Sequence, residues 1–258
     1  MSAVEFEDVS LSVGGVDLFR NLSCQVPTQG CTLLVGPTGS GKTSFFRLIK
    51  GLIPFLQTHP MSGTIKLFGE TKTEENFLAQ NIEVGMLFQD TELQFIGSSV
   101  GHELAFGLEI LGLPPTQIRQ RLHFFLGKYP FLQDLWNRQP HTLSGGELVI
   151  TELCATLITE PKLILLDEPL AFLDPAGKST VVNLLQEIGK SWTTIIATHD
   201  FLPFLSLAET VIALDPEKHG VAFQGSVREF LSVVSQFSWV NVPAKVLTLL
   251  PTLLEGRG

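Results

Sequence analysis

Gly36-Pro37-Thr38-Gly39-Ser40-Gly41-Lys42-Thr43 reads G-x-x-x-x-G-K-[ST], and its surroundings decide the fold. Before it, Cys31-Thr32-Leu33-Leu34-Val35 is an apolar run suited to a strand covered on both faces. After it, residues 41–52 carry a helical pattern. Strand, glycine loop and helix together let successive backbone N–H groups curl around phosphate oxygens at a helix N-terminus. In that setting Lys42 reaches the β/γ-phosphates of a nucleotide and the Thr43 hydroxyl ligates Mg²⁺. A chance glycine turn would not need the flanking strand and helix.

Outward from this loop, the first thirty residues read as short strands: 4–7 alternates, Gly14-Gly15 is a turn, and 22–26 alternates before Pro27. Residues 63–69 and 84–88 are further strands. From 98 to 157 the period becomes helical, with Leu104, Leu108 and Leu111, then Ile118, Leu122 and Phe125, at three- and four-residue steps. Strands at 163–166, 193–197 and 210–214 and a helix at 176–188 follow. Strands alternating with helices imply an α/β fold with a mostly parallel, covered sheet, and the helical block is expected as an insert within it.

The whole chain bounds what this fold serves. Its 258 residues carry 17 Lys+Arg against 26 Asp+Glu, a net charge of −9. That argues against nucleic acid, which selects a concentrated basic face. No signal peptide and no run of 18 apolar residues is present, so the chain is expected not to cross a membrane. A mean hydropathy of +0.28 nevertheless predicts an apolar surface patch that another molecule covers. Cys24, Cys31 and Cys154 form neither an even disulfide set nor a CxxC pair and read as reduced thiols of a cytosolic protein.

A phosphate loop needs a carboxylate to hold the metal. Leu163-Ile164-Leu165-Leu166-Asp167-Glu168 provides two acids at the C-terminal end of a buried strand, where open α/β sheets bind ligands. Asp167 then holds Mg²⁺ and Glu168 polarises the attacking water. Thr142-Leu143-Ser144-Gly145-Gly146-Glu147 opens another helix. It is either a second anion site at a helix N-terminus or an ordinary serine cap.

With these pieces in place the chain resembles the ATP-binding-cassette ATPases along nearly its whole length. Leu143–Glu147 resembles the LSGGQ signature, Gln89 the Q-loop glutamine, Ala171-Phe172-Leu173-Asp174 the D-loop, and His199 the switch histidine. The resemblance implies a P-loop NTPase (RecA-like) core with an N-terminal antiparallel β-subdomain and a helical insert at about 91–158. These would make up one ATPase domain over 1–235, with a C-terminal tail, 236–258, that is either helical or an added dimer contact. It also implies ATP and Mg²⁺ as ligands, with catalysis by Glu168, His199 and Gln89. ATP contacts are implied at Gly36, Pro37, Thr38, Gly39, Ser40, Gly41, Lys42, Thr43, Ser144, Gly145, Gly146 and Asp174, and metal contacts at Thr43, Gln89 and Asp167. Two subunits, identical or different, would face head to tail around ATP, each phosphate loop opposite the other's signature. A transmembrane subunit would dock on the helical insert near Phe95, Ile96, Phe106 and Leu108, placing the protein on the cytoplasmic face of the membrane.

The segment 87–107 and the stretch 168–177 are similar to the ATPases of energy-coupling-factor transporters, importers of vitamins or Ni²⁺ and Co²⁺ ions. Four positions depart from the pattern. Val13 stands where an aromatic residue stacks on adenine, Glu147 replaces Gln, Leu148-Val149-Ile150 replaces basic residues, and Phe172 replaces a small one. They admit a second reading, a regulatory ATP-binding subunit with little hydrolysis. Gly97-Ser98-Ser99-Val100-Gly101 also matches the G-x-S-x-G nucleophile elbow, with Ser99, Asp167 and His199 in hydrolase order. It lacks a strong preceding strand, and a serine helix start explains it without chemistry. A chromosome-type ATPase is disfavoured, because no long coiled coil separates the phosphate loop from the signature. The remaining histidines show no metal-ligand spacing.

Overall fold

The computed structural model describes residues 1–188 and 192–240. Expectations for the tail beyond 240 lie outside the described residues. The chain forms two compact units, one of Met1–Lys72 with the chain from Ala197 onward, the other of Thr73–Ile196.

In the first unit, β1 (Ser2–Val13) and β2 (Val16–Pro27) form an antiparallel hairpin, each longer than the sequence suggested. Gly14 and Gly15 close it with φ of 60° and 82°, the two positive angles that a two-residue turn between twisted strands requires. The alternation is broken by register shifts, which is why only fragments of these strands were legible. Helix α1 (Lys42–Ile49) follows β3 (Cys31–Val35) and ends before Gly51, short of the expected 41–52. Next come β4 (Met61–Leu67), antiparallel to β1, and the short β5 (Glu70–Thr71). Gly63 opposes the bulge at Asp8 so closely that a Cβ would lie 2.4 Å from the Asp8 carbonyl oxygen. The sheet order is β2-β1-β4-β5.

The second unit opens with α2 (Phe77–Ile82), β6 (Val84–Leu87), α3 (Thr91–Gln94), α4 (Val100–Ile110), α5 (Pro115–Lys128) and α6 (Phe131–Leu135). It continues with α7 (Gly145–Leu157), β7 (Leu163–Asp167), α8 (Pro175–Ile188) and most of β8 (Thr193–Thr198), the last two residues of which belong to the first unit. β6 and β7 pair in parallel. Helix α7 is buried along most of its length, and Leu104 and Leu108 of α4 are fully buried. Helix α5 buries no residue completely, so Ile118, Leu122 and Phe125 form a half-buried stripe rather than a core face.

The first unit is completed by β9 (Ala208–Asp215), parallel to β3, β10 (Gly220–Ser226), antiparallel to β9, and α9 (Val227–Val233). Gln224 joins β10 to β2, its amide donating to the Gln25 carbonyl at 2.7 Å and accepting from the Gln25 N–H at 3.3 Å. Phe6 of β1 stacks on Phe45 of α1 with ring centroids 4.3 Å apart. Phe230 on α9 packs among Phe201, Phe223 and Phe237. No helix among the described residues is long and apolar enough to cross a membrane. All three cysteines are buried and free, and burial pushes the Cys24 and Cys31 thiols up to about 12, out of the reactive thiolate range.

Two carboxylates lie inside the second unit on α4 and α7. Glu103 accepts the backbone N–H groups of Ile96 at 2.8 Å and Gly97 at 2.5 Å. Glu152 Oε1 has no hydrogen-bond partner among the described residues. Burial, with the Glu103 charge second, pushes Glu152 up to about 8. Between its ordinary value of 4.5 and about 8, the folded state keeps a proton that the unfolded chain releases, so this group lowers stability as pH rises through that window. Glu152→Gln removes the slope. Melting curves at pH 6 and pH 8.5 should show the variant gaining on the parent by about 2 kcal/mol at the higher pH.

Candidate nucleotide site

The phosphate loop hangs between β3 and α1. Gly39 and Gly41 take φ of 84° and 94°, angles that side chains rarely adopt. At Gly41 a Cβ would also lie 2.7 Å from the ring of Phe19, which is buried beneath the loop and so offers adenine no face. At Gly36 a Cβ would meet Ser40 Oγ and lie 2.9 Å from the Leu214 carbonyl. The glycines are therefore required by both backbone angle and packing. Lys42 folds back over the loop, its Nζ donating to the carbonyls of Gly36 at 2.9 Å and Pro37 at 3.2 Å. A buried ammonium held by two neutral carbonyls is poised to exchange them for phosphate oxygens. Thr43 is half-buried on the first turn of α1. His199, exposed, follows β8, where Thr198 Oγ1 accepts the Asp200 N–H at 3.0 Å and fixes the turn.

In the second unit Asp167 ends β7 and is 2% exposed. Glu168 follows, half-buried, with its backbone in the left-handed region at φ 48°. That conformation costs a non-glycine residue of order 1 kcal/mol. The turn is closed by the Ala171 N–H donating to the Glu168 carbonyl at 2.9 Å. Thr43 hydroxyl and Asp167 carboxylate are hard oxygen donors, the kind that Mg²⁺ takes alongside phosphates.

Ser144 caps α7 through a capping box. Its Oγ accepts the Glu147 N–H at 3.3 Å, and Glu147 Oε2 accepts the Ser144 N–H at 2.7 Å. Arg138 pairs with Glu147 at 2.9 Å, and the bond from the Ser144 N–H does most to hold that carboxyl below its usual range. Glutamine could serve the capping box as well, but the ion pair with Arg138 is specific to the carboxylate of Glu147. Gly146 approaches α8 so closely that a Cβ would lie 2.9 Å from the Gly177 Cα, while a Cβ at Gly145 would meet Leu173 at 3.1 Å. Asp174 Oδ1 accepts the Gly177 N–H at 2.7 Å and so caps α8. The signature and the D-loop turn are therefore packed together. Phe172 stands out of that turn, 90% exposed and at φ 62°.

Gln89 is exposed just after β6. The residue that shapes its loop is Gln94, which the sequence reading passed over: its Oε1 accepts the Phe88 N–H at 3.0 Å and its Nε2 donates to the Met86 carbonyl at 3.1 Å. The amide that would have revealed Gln94 lies on a four-residue helix, too short for any periodicity. Ser99 caps α4 by accepting the His102 N–H at 3.4 Å, so the G-x-S-x-G match is a helix start. The expected docking patch needs one correction. Leu108 is fully buried in the core of its unit and Phe95 and Phe106 are half-buried, whereas Ile96 is 66% and Leu93 82% exposed.

A strand, phosphate loop and helix, with a strand-end Asp-Glu pair and a second glycine-led helix start, define a P-loop ATPase of the ATP-binding-cassette class. The chain belongs to the ABC transporter family, whose model matches residues 19–171. It is an ATPase of that family, with an α/β P-loop fold and an antiparallel N-terminal sheet. Within the family it is similar to the nickel import ATP-binding protein NikO of Rhodobacter capsulatus, 35% identical over 89% of this chain and 91% of that one. The energy-coupling factor transporter ATP-binding protein EcfA1 of Leuconostoc mesenteroides is 33% identical over 83% of this chain and 78% of its own. The solved structure of cbiO1 from Clostridium perfringens, described as part of the ABC transporter complex cbiONQ, superposes with a TM-score of 0.80 at 26% identity. It covers 97% of this chain and 99% of that one.

Proposed function

We propose that this chain hydrolyses Mg-ATP to drive an importer of the energy-coupling-factor type, carrying a vitamin or a transition-metal ion. The observation that carries the reading is the phosphate loop whose lysine is already turned onto its carbonyls, in a chain that also keeps a strained strand-end glutamate. The likeness to nickel-import and energy-coupling-factor ATP-binding proteins supports the transporter class.

In this reading, 1–235 acts as one ATPase domain. The N–H groups of Gly36, Pro37, Thr38, Gly39, Ser40 and Gly41 cradle the phosphates, and Lys42 holds the β/γ-oxygens. Thr43, Asp167 and Gln89 hold Mg²⁺, which supplies positive charge to the phosphate oxygens when bound. Glu168 orients and polarises the attacking water, and His199 contacts the γ-phosphate. Ser144, Gly145, Gly146 and Asp174 complete the site of a second subunit, identical or different, in a dimer closed around two ATP. Catalysis is then mostly positioning and charge stabilisation. Val13 offers adenine no aromatic face, so the base is held more loosely than is usual for the family.

The coupling surface is Leu93 and Ile96 with the half-buried Phe95 and Phe106, which follow Gln89 in the chain. A transmembrane subunit docks there and holds the protein on the inner face of the membrane. Closure of the ATP dimer then moves the docked element. Ile96→Asp tests it: the variant should stay folded and bind ATP but be lost from membranes when expressed with its transporter in the native host. Full membrane recovery of a folded variant would refute the placement.

A further inference from the structure

The first unit holds a cavity that the nucleotide chemistry does not use. It has a volume of about 310 Å³ and lies between the irregular turn Leu52–Leu56 with the chain up to His59 and the strands β4 and β5. Its wall is apolar at Ile53, Pro54, Phe55, Met61 and Ile65, with Lys72 and His59 as the ionisable groups and no carboxylate in the lining. Lys72 is 9% exposed, and its Nζ is buried without a hydrogen-bond partner among the described residues. Its backbone is held in place, the Lys72 N–H donating to the Ile65 carbonyl at 2.8 Å. Lys50, which caps the C-terminus of α1, lies near enough for the charge of Lys72 to act on it.

An unpaired buried ammonium is costly, and proteins normally supply such a group with an anion or a hydrogen-bonded partner. Burial has pushed Lys72 down to about 8, and burial with the neighbouring Lys72 charge has pushed Lys50 to about 8 as well. With Lys72 Nζ buried at its wall and no carboxylate in the lining, the cavity presents a basic group over an apolar floor. Small-ligand sites are of this kind: concave, mostly apolar, at least about 300 Å³, with one or two polar groups fixing orientation. At roughly 30 Å³ for each heavy atom, the space takes about ten.

We propose that this cavity binds a small monocarboxylate with an aliphatic body, its carboxylate on Lys72 Nζ and its chain against Ile53, Phe55, Met61 and Ile65. Octanoate has the matching size and is the probe. Titration calorimetry of the full chain should give saturable octanoate binding, and 1-octanol, which has the same body without the charge, should bind at least about tenfold more weakly. Lys72→Met should weaken octanoate by about tenfold or more while melting no lower than the parent, because it replaces an unpaired charge with an apolar side chain. Met61→Trp, which fills the cavity and keeps the lysine, should also abolish binding and decides the matter if Lys72→Met does not fold. Both variants should hydrolyse ATP like the parent, so failure here is separable from failure of the ATPase assignment. The proposal is overturned if the parent shows no saturable binding at millimolar octanoate, if octanol binds equally well, or if a folded variant binds octanoate as the parent does.

Discussion

Glu168→Gln should reduce steady-state phosphate release by roughly 10²–10⁴ while leaving equilibrium ATP binding intact, the typical loss for a positioned general base. Glutamine keeps the size of the side chain and can occupy the same left-handed backbone at φ 48°, so the turn closed by the Ala171 N–H survives. What disappears is the anionic oxygen that draws a proton from water. A second consequence follows if hydrolysis is what releases the closed dimer: the variant should accumulate as an ATP-bound dimer in size-exclusion chromatography. A variant that turns over at the parent rate would show that Glu168 only shapes its turn, and the base would have to be sought elsewhere.

Lys42→Ala should weaken ATP binding itself and not turnover alone. In the structure the ammonium already sits at bonding distance from the Gly36 and Pro37 carbonyls, buried and ready to trade them for phosphate oxygens. Truncating one partner of a buried, hydrogen-bonded charge pair costs about 2–4 kcal/mol, or roughly 30- to 700-fold in affinity. The clean readout is thermal. ATP in excess stabilises the parent by mass action, and the same concentration should raise the melting temperature of the variant far less. An equal ATP-induced shift in both proteins would sink the role given to Lys42.

Features written in one contiguous stretch were legible. The phosphate loop, the strand-end acids and the Ser144 helix start each rest on local backbone chemistry that glycine, a capping hydroxyl or a β-run imposes on its own neighbours. The hairpin strands β1 and β2 were only half seen, because bulges break the period of two that sequence reading depends on. Leu108 was expected in the docking patch because the insert that carries it follows Gln89, and order along the chain says nothing about what covers a side chain.

By itself, then, the sequence determined the class of protein and the order of strand, phosphate loop and helix. Each motif behind them is a short contiguous stretch, although the motifs themselves run from residue 36 to residue 199. Only the tertiary structure decided that Gly146 is a glycine because Gly177 lies against it, that Glu103 holds Ile96 and Gly97, and that Glu147 pairs with Arg138. It also decided that Leu93 and Ile96 are left uncovered while Leu108 is not. Most of these contacts join separate elements or turn on which face of an element is packed. The free energy that selects such a partner comes from close packing and desolvation at a meeting point, which no local propensity records.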